Sequence, residues 1–378
     1  MYAAIFIAVI VFFVMFHEFG HFVTAKAFGM KADRFFLGFG PTLWSFRRGE
    51  TEYGVKAIPA GGFVRIVGMN KFEDVDPADR GRTFHSRPAW QRAVVLASGS
   101  ATHFVVAFAL LVAAFSLVGV PILSNAVDRV VGGDPAARAG LRPGDRIVAV
   151  DGRRTPDFDA VRATVTARGG EMVPVTVLRD GRRLTVEVGL AERDPEGSPG
   201  GYLGVAPRVV TRTLPFGEAL GATVSGDLSL VRITQVSLSG LAQALSPSQL
   251  SSWFSSVDDP GPRSPEGPIS LVGAGQLVSA LGASGDVFAV LVLLVNLNVV
   301  LGVLNMLPLP PLDGGHLAVL LVEQGVNRVR RVRGRPSDWQ LDPAVLTPIA
   351  LAVVLFFGTV FLTSLYLDIT KPASGLLP

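Results

Sequence analysis

Residues 1–28 read MYAAIFIAVIVFFVMFHEFGHFVTAKAF, and no charged side chain interrupts them before Glu18. A helix rising 1.5 Å per residue needs about 20 apolar residues to cross the hydrocarbon core of a bilayer. The stretch lacks a basic leading region and a small-residue cleavage site, which argues against a signal peptide and predicts a retained membrane helix. Its polar groups fall together, as His17-Glu18-Phe19-Gly20-His21. Helical positions i and i+4 lie about 40° apart around the axis. His17 and His21 therefore share one face, and Glu18 stands about 100° from His17. Two neutral imidazoles on one face, joined by a carboxylate or a third imidazole, suit zinc with one position left open, and Glu18 is placed as general base towards water activated there. Ionisable groups inside a span are costly, so such a cluster reads as functional.

Three more stretches support the same kind of helix: 93–121, without a charge between Arg92 and Asp128, about 287–309, and 344–367. Hydrophobic residues make up 49% of the chain and charged residues 17%, against about 25% charged in ordinary soluble domains. The expectation is a polytopic α-helical membrane protein with about four transmembrane helices. The expected segments are a first helix in 1–34, a cytoplasmic β-region and loop in 35–92, a second helix in 93–121 and an extracytoplasmic α/β module in 122–206. An amphipathic helix and linker follow in 207–286, then a third membrane segment in 287–315, a basic cytoplasmic segment in 316–343, and a fourth helix with a tail in 344–378. Twelve Lys and Arg lie between Lys26 and Arg92, and another basic run occupies Arg328 to Arg335. Both connections are therefore expected in the cytoplasm, with the long segment about 122–286 and both termini outside. A net charge of +3 with this apolar content excludes global disorder. The absence of cysteine removes disulfides, thiol nucleophiles and thiolate metal ligands. The basic residues form no single patch, which argues against a nucleic-acid partner.

Residues 35–68 alternate short β-rich runs, 42–47, 51–57 and 63–67, with glycine and proline, and predict a small sheet able to dip into the membrane interface. Residues 124–206 predict a compact outer module. Strands are expected at 127–131, 146–150, 173–179 and 182–190, the last two joined by an Asp180-Gly181 hairpin turn, with helices at 134–145 and 157–168. This succession, with AARAGLRPGDRIVAVDG at 136–152, resembles a PDZ domain of the bacterial, circularly permuted kind. Such domains bind extended peptides at a sheet edge. Tyr202, Leu203 and Gly204 are the residues expected to frame that groove. Residues 219–245 read as a helix on the outer membrane face, and 246–268 as linker.

The imidazole pair needs a third ligand from elsewhere. Asp313 is the only acid between Asp286 and Glu323. Three prolines and two glycines around it break the helix, which is tolerated at that depth only where the chain is buried or lines a cavity. A carboxylate there needs a counter-charge, which favours Asp313 over the other candidates, His103 and His316.

HEFGH in the first span and NMLPLPPLDGG in the third, with a PDZ-like insert between spans two and three, resemble the site-2 protease family of intramembrane zinc metalloproteases. The resemblance runs over nearly the whole chain and is strongest to the bacterial branch that cleaves anti-sigma factors and similar single-span proteins. It implies one zinc ion per chain held by His17, His21 and Asp313, with Glu18 as catalytic glutamate. It also implies that Asn305 steadies substrate or the developing oxyanion, a role in which a preorganised amide donor lowers the barrier. The stretch 38–69 resembles the branch's β-region, which implies that Gly61 and Gly62 lie where a substrate strand is met. The implied partners are a single-span membrane substrate such as an anti-sigma factor, an upstream extracytoplasmic protease and the lipid bilayer, in a bacterial plasma membrane. One departure stands out. The family's second span usually carries Gly-Pro-x-x-Asn, whereas here Gly99-Ser100-Ala101-Thr102-His103 puts an imidazole in the asparagine's place. A neutral ring still donates one hydrogen bond, so His103 is expected to serve as a substrate-binding donor.

Overall fold

The computed structural model describes residues 2–69, 73–257, 259, 261 and 267–376. The chain folds as two units, Met1–Ala114 with Pro215–Pro378, and Phe115–Leu214.

The first unit opens with α1, Tyr2–Ala27. A long hairpin follows, β1 (Ala32–Arg48) and β2 (Thr51–Ile66). Its register shows that it curls on itself. Residues 34–37 pair with Glu52 to Val55 on one side and with Gly62 to Arg65 on the other, while 44–48 pair with 51–55. The spatial order of segments is therefore 42–48, 51–56, 32–37, 62–66. Three of the four coincide with the runs expected from sequence. The fourth, 32–37, carries Phe35, Phe36 and Leu37 in succession, and so lacks the alternation that marks a half-buried strand. Positive φ at Gly38 and Gly40 allows the sharp bend that folds the ribbon over.

After the loop comes α2, Ala89–Ala113, which widens into a π-helical turn at Ala114–Val118. The second unit follows, with β3 (Val120–Val130), α3 (Pro135–Arg138), β4 (Arg146–Val150), β5 (Arg153–Arg154) and α4 (Phe158–Thr166). It continues through β6 (Met172–Arg179), β7 (Arg182–Gly189), β8 (Ala191–Arg193), β9 (Pro199–Tyr202) and β10 (Val205–Arg212). The main sheet runs β10-β3-β4-β6-β7, with β5 on β4 and a separate β8-β9 pair. Val173, Val175 and Val177 alternate into its core with Ile147, Val161 and Leu203, as the two-residue period of a strand requires. Helix 134–145 is shorter than expected. Gly140 at φ 77° and Gly144 at φ 90° turn the chain after the first helical turn.

Returning to the first unit, the helix expected over 219–245 is two: α5 (Phe216–Val224) and α6 (Leu230–Ala244). Gly226 at φ 123° breaks them, and the Ser229 hydroxyl caps the second. The expected linker begins as α7 (Pro247–Ser255), where Ser246 caps and Pro247 occupies the first turn. Residues 258, 260 and 262–266 of that linker lie outside the described residues. Then come α8 (Leu271–Ala283) and α9 (Val287–Asn305). The helix stops there, before the aspartate motif. Prolines 308, 310 and 311 end the helix, because none can donate an amide hydrogen bond. Asp313 opens a new helix, α10 (Asp313–Val332), which carries most of the basic run, and α11 (Pro343–Thr370) ends the unit. Gly314 and Gly315 let the first turn of α10 dock on residues 306–310, the turn that follows α9. A Cβ at either would meet Met306 O at 2.2 Å or Pro310 N at 2.4 Å.

Among the described residues four helical stretches are long and apolar enough to cross a membrane: Tyr2–Ala27, Ala89–Val118, Val287–Asn305 and Ala344–Thr370. One apolar core joins Ala25, Met30, Ile66, Val95, Leu96 and Leu320. It fixes α1, β2, α2 and α10 together, each of its Met, Ile, Val and Leu side chains contributing about 1.5–3 kcal/mol on full burial.

Candidate metal centre

The helix α1 places His17 and His21 one turn apart on a buried face, with ring centroids 4.8 Å apart. Their Nε2 atoms approach to 3.2 Å. Asp313, brought by the first turn of α10, sets Oδ2 3.2 Å from His17 Nε2 and 3.3 Å from His21 Nε2. Among the described residues this is the cluster of three ligand side chains able to hold a metal.

The donor set fits zinc. His21 donates its Nδ1 proton to the Val95 carbonyl at 2.7 Å, which leaves Nε2 with a lone pair. That lone pair faces a carboxylate oxygen, Asp313 Oδ2, which is buried and has no hydrogen-bond partner. Lone pairs packed together in a buried site repel unless a cation lies among them. Tetrahedral zinc with ligand bonds of about 2.0–2.1 Å separates its ligand atoms by roughly 3.3–3.4 Å, close to the three separations found here.

The close packing of α1 on α2 holds this geometry. A Cβ at Gly99 would meet His21 Nε2 at 2.2 Å and His17 Cε1 at 2.7 Å, and one at Gly20 would meet Ser98 O at 2.6 Å. Thr24 and Ser98 share a hydroxyl hydrogen bond of 2.9 Å across the same seam. Gly99→Ala is accordingly expected to cut kcat/KM about 100-fold, since a shift of roughly 1 Å at a catalytic site costs that much. Steady-state kinetics beside a thermal-unfolding curve tests it, and a variant within threefold of the parent refutes the packing argument.

Glu18 takes a different environment from its neighbours. Its Oε2 accepts the Val64 N–H at 3.0 Å. Val64 belongs to the 62–66 segment at the rim of the curled hairpin, so the carboxylate is anchored to a strand edge. Gly62 permits the approach, for a Cβ there would lie 2.8 Å from Met15 Sδ and 3.4 Å from Glu18 Cγ. Gly61 has φ 120°, outside the range of other residues. A cavity of about 140 Å³ is lined by Glu18, His21, Asp313, Val64, Pro311 and His316 among others. A neighbouring cavity of about 800 Å³ shares Val64, Ile66, Met69, Leu96 and His316 with it, and extends to Phe84, Val319 and Leu341.

The remaining site residues fall elsewhere. Asn305 ends α9 half-buried and lines neither cavity. His103 is buried on α2, one turn beyond Gly99, but its donor is spent: Nδ1 lies 3.1 Å from Asn298 Oδ1. Tyr202, Leu203 and Gly204 belong to the second unit, where they line a cavity of about 170 Å³ with Phe158, Val161 and Arg162 of α4. Sequence reasoning passed over Asn298 and the Val64 amide, and gave Gly99 no packing role. Small residues at 98–100 within a span are a signal for close helix packing, and an asparagine within an apolar helix is a signal for a partner. A backbone amide leaves no such trace.

Two buried imidazoles and a glutamate on a helix apolar enough for lipid, met by a half-buried carboxylate from the first turn of α10, make a group able to hold a metal beside a base, the arrangement of a metal-dependent hydrolase. A model of peptidase family M50 matches residues 5–340, and the chain belongs to this family, the site-2 proteases. It is similar to "Zinc metalloprotease Rip1" of Mycobacterium tuberculosis, at 34% identity over 94% of each chain. It is also similar to the protein of the same name from Mycolicibacterium smegmatis, at 33% identity over 95% of this chain and 94% of that one. Among solved structures, the PDZ domain of an SdrC-like protein from Listeria monocytogenes aligns with 23% of this chain and 90% of its own, with 22% identity and a TM-score of 0.20. The chain is a zinc metalloendopeptidase and a multi-pass membrane protein.

Proposed function

We propose that this enzyme hydrolyses peptide bonds in or near the transmembrane segment of single-span membrane proteins such as anti-sigma factors, after a first cut outside the membrane by another protease. The observation that carries the reading is the convergence, within 3.3 Å, of His17 and His21 of the apolar helix α1 with unpartnered Asp313 Oδ2 from the first turn of α10. These three side chains would hold zinc, which when bound supplies the Lewis acidity that makes water nucleophilic near neutral pH. Glu18 takes the proton of the attacking water and hands it to the leaving amine nitrogen. The Val64 amide holds that carboxylate in place. A peptide bond inside a helix is shielded by its own hydrogen bonds, so the substrate unwinds locally and lies extended along the hairpin edge near Gly61 and Gly62. Asn305 is assigned to steady the substrate or the oxyanion, on the family pattern.

The Lys and Arg distribution supports a cytoplasmic hairpin and α10 C-terminus, with the PDZ-like module outside. In that position the module, with Tyr202, Leu203 and Gly204 at its groove, admits substrates already shortened by the first cut. Deleting residues 124–206 is expected to let intact substrate be processed, with at least tenfold more product from the uncut protein. A reconstituted cleavage assay comparing intact and pre-cut substrate measures this, and unchanged selectivity defeats the filter role.

A further inference from the structure

This inference rests on the reading of His17, His21 and Asp313 as zinc ligands and of Glu18 as base. As water bonds to the peptide carbon, negative charge gathers on the carbonyl oxygen, and hydrogen-bond donors aimed at that oxygen lower the barrier. The cavity of about 140 Å³ beside the ligands gives the reacting peptide room, yet most of its wall offers no donor. Val64, Ile66, Met69, Val95, Leu96 and Pro311 bring apolar side chains. Glu18 and Asp313 bring carboxylates, and His21 gives its Nδ1 proton to the Val95 carbonyl. The Val64 N–H is taken by Glu18. Asn305 lines neither cavity, and the donor of His103 is held by Asn298. Among the described residues one side-chain donor remains in the wall, His316.

Its position and its freedom both suit the task. The helix α10 carries His316 three residues after Asp313, about 4.5 Å further along the axis and 60° around it. The His316 N–H donates to the Leu312 carbonyl at 3.2 Å, which fixes the backbone of this first turn. The side chain is exposed, and its ring makes no hydrogen bond among the described residues. It also lines the cavity of about 800 Å³, and among the residues that the two cavities share it is the only polar one, beside Val64, Ile66, Met69 and Leu96. A chain that passes from the larger cavity to the ligands passes this ring. A neutral imidazole always holds one N–H, so donation needs no change of charge.

We propose that His316 is a catalytic residue that donates a ring N–H to the carbonyl oxygen of the scissile peptide as that oxygen becomes an oxyanion. The electron pair of the carbonyl moves onto the oxygen when the water oxygen bonds to carbon, and returns when the carbon–nitrogen bond breaks. The ring keeps its proton throughout, while Glu18 carries the proton from water to the leaving nitrogen. Asn305 retains the other half of its family assignment, steadying the substrate outside this cavity. One helical turn thus supplies both a metal ligand, Asp313, and the donor that faces the reacting peptide.

Kinetics and binding test this on the zinc-loaded, full-length protein, with an internally quenched synthetic transmembrane peptide that the parent enzyme cuts. His316→Leu is expected to lower kcat about 100–1,000-fold, the usual cost of losing one such donor. KM is expected to stay within about threefold, because the bond strengthens only as the oxyanion forms. His316→Gln, which keeps an N–H donor, is expected to recover about tenfold or more of the loss. A phosphinic analogue of the same peptide, whose anionic oxygen stands in for the oxyanion, is expected to bind the leucine variant more weakly by about the factor lost from kcat/KM. The parent's kcat in the leucine variant, equal loss in both variants, or unchanged affinity for the analogue overturns the proposal. Loss of zinc from the leucine variant overturns it too, since the ring is then a ligand. Glu18→Gln measured alongside separates the two levels. If it retains turnover, the reading of the site fails. If it is inactive while His316→Leu keeps the parent's kcat, the oxyanion donor alone fails.

Discussion

Glu18→Gln is expected to lower peptide-bond hydrolysis about a thousandfold or more while the purified protein keeps its zinc. General-base catalysis is worth roughly 10²–10⁴-fold. Asp313 is the only other carboxylate lining the cavity, and its oxygen is held between two imidazoles. Glutamine has the shape of glutamate, and its carbonyl oxygen still accepts the Val64 N–H that anchors residue 18 to the hairpin edge. The variant therefore keeps the strand where it is and binds substrate, but cannot take the proton from water. Metal analysis and a single-turnover cleavage assay on one preparation check both halves. Turnover within tenfold of the parent removes Glu18 from the role of base. Loss of zinc points instead to a structural role. Because binding survives, the same variant serves as a trap for the physiological substrate.

What was legible in the sequence follows from what lipid forbids. Within apolar segments a charged or imidazole side chain is expensive, so His17, Glu18, His21 and Asp313 stood out against their surroundings without any knowledge of where the helices pack. Their meeting was not written in local pattern. It depends on α9 stopping at Asn305 and on the chain turning so that Asp313 opens α10. Prolines announce that a break occurs, but not which way the next helix leaves. The hairpin shows the same limit. Its segments carry strand signals, yet the curl that turns residues 62–66 into the rim facing Glu18 comes from long-range register. His103 shows it most sharply. A lone imidazole can donate or accept, and only Asn298, 195 positions away in sequence, decides which.

Asp313→Asn is expected to strip the protein of zinc, raising the zinc Kd at least 100-fold and taking hydrolysis below detection at ordinary zinc concentrations. A neutral amide is a poor replacement for an anionic oxygen that balances the charge of a divalent ion in a buried site. The substitution is otherwise conservative. Residue 313 stays in the first turn of α10, and the contacts that dock this helix, at Gly314 and Gly315 against the turn 306–310, are untouched. The apo fold is therefore expected to survive, which a thermal-unfolding curve verifies, and metal content after dialysis then reports on the ligand alone. The contrast with Glu18→Gln is the decisive feature. One variant loses the chemistry and keeps the ion, and the other loses the ion while its base remains in place. A fully loaded, wild-type-affinity Asp313→Asn protein means that the ion lies elsewhere, and the proposed division of labour between α1 and α10 fails with it.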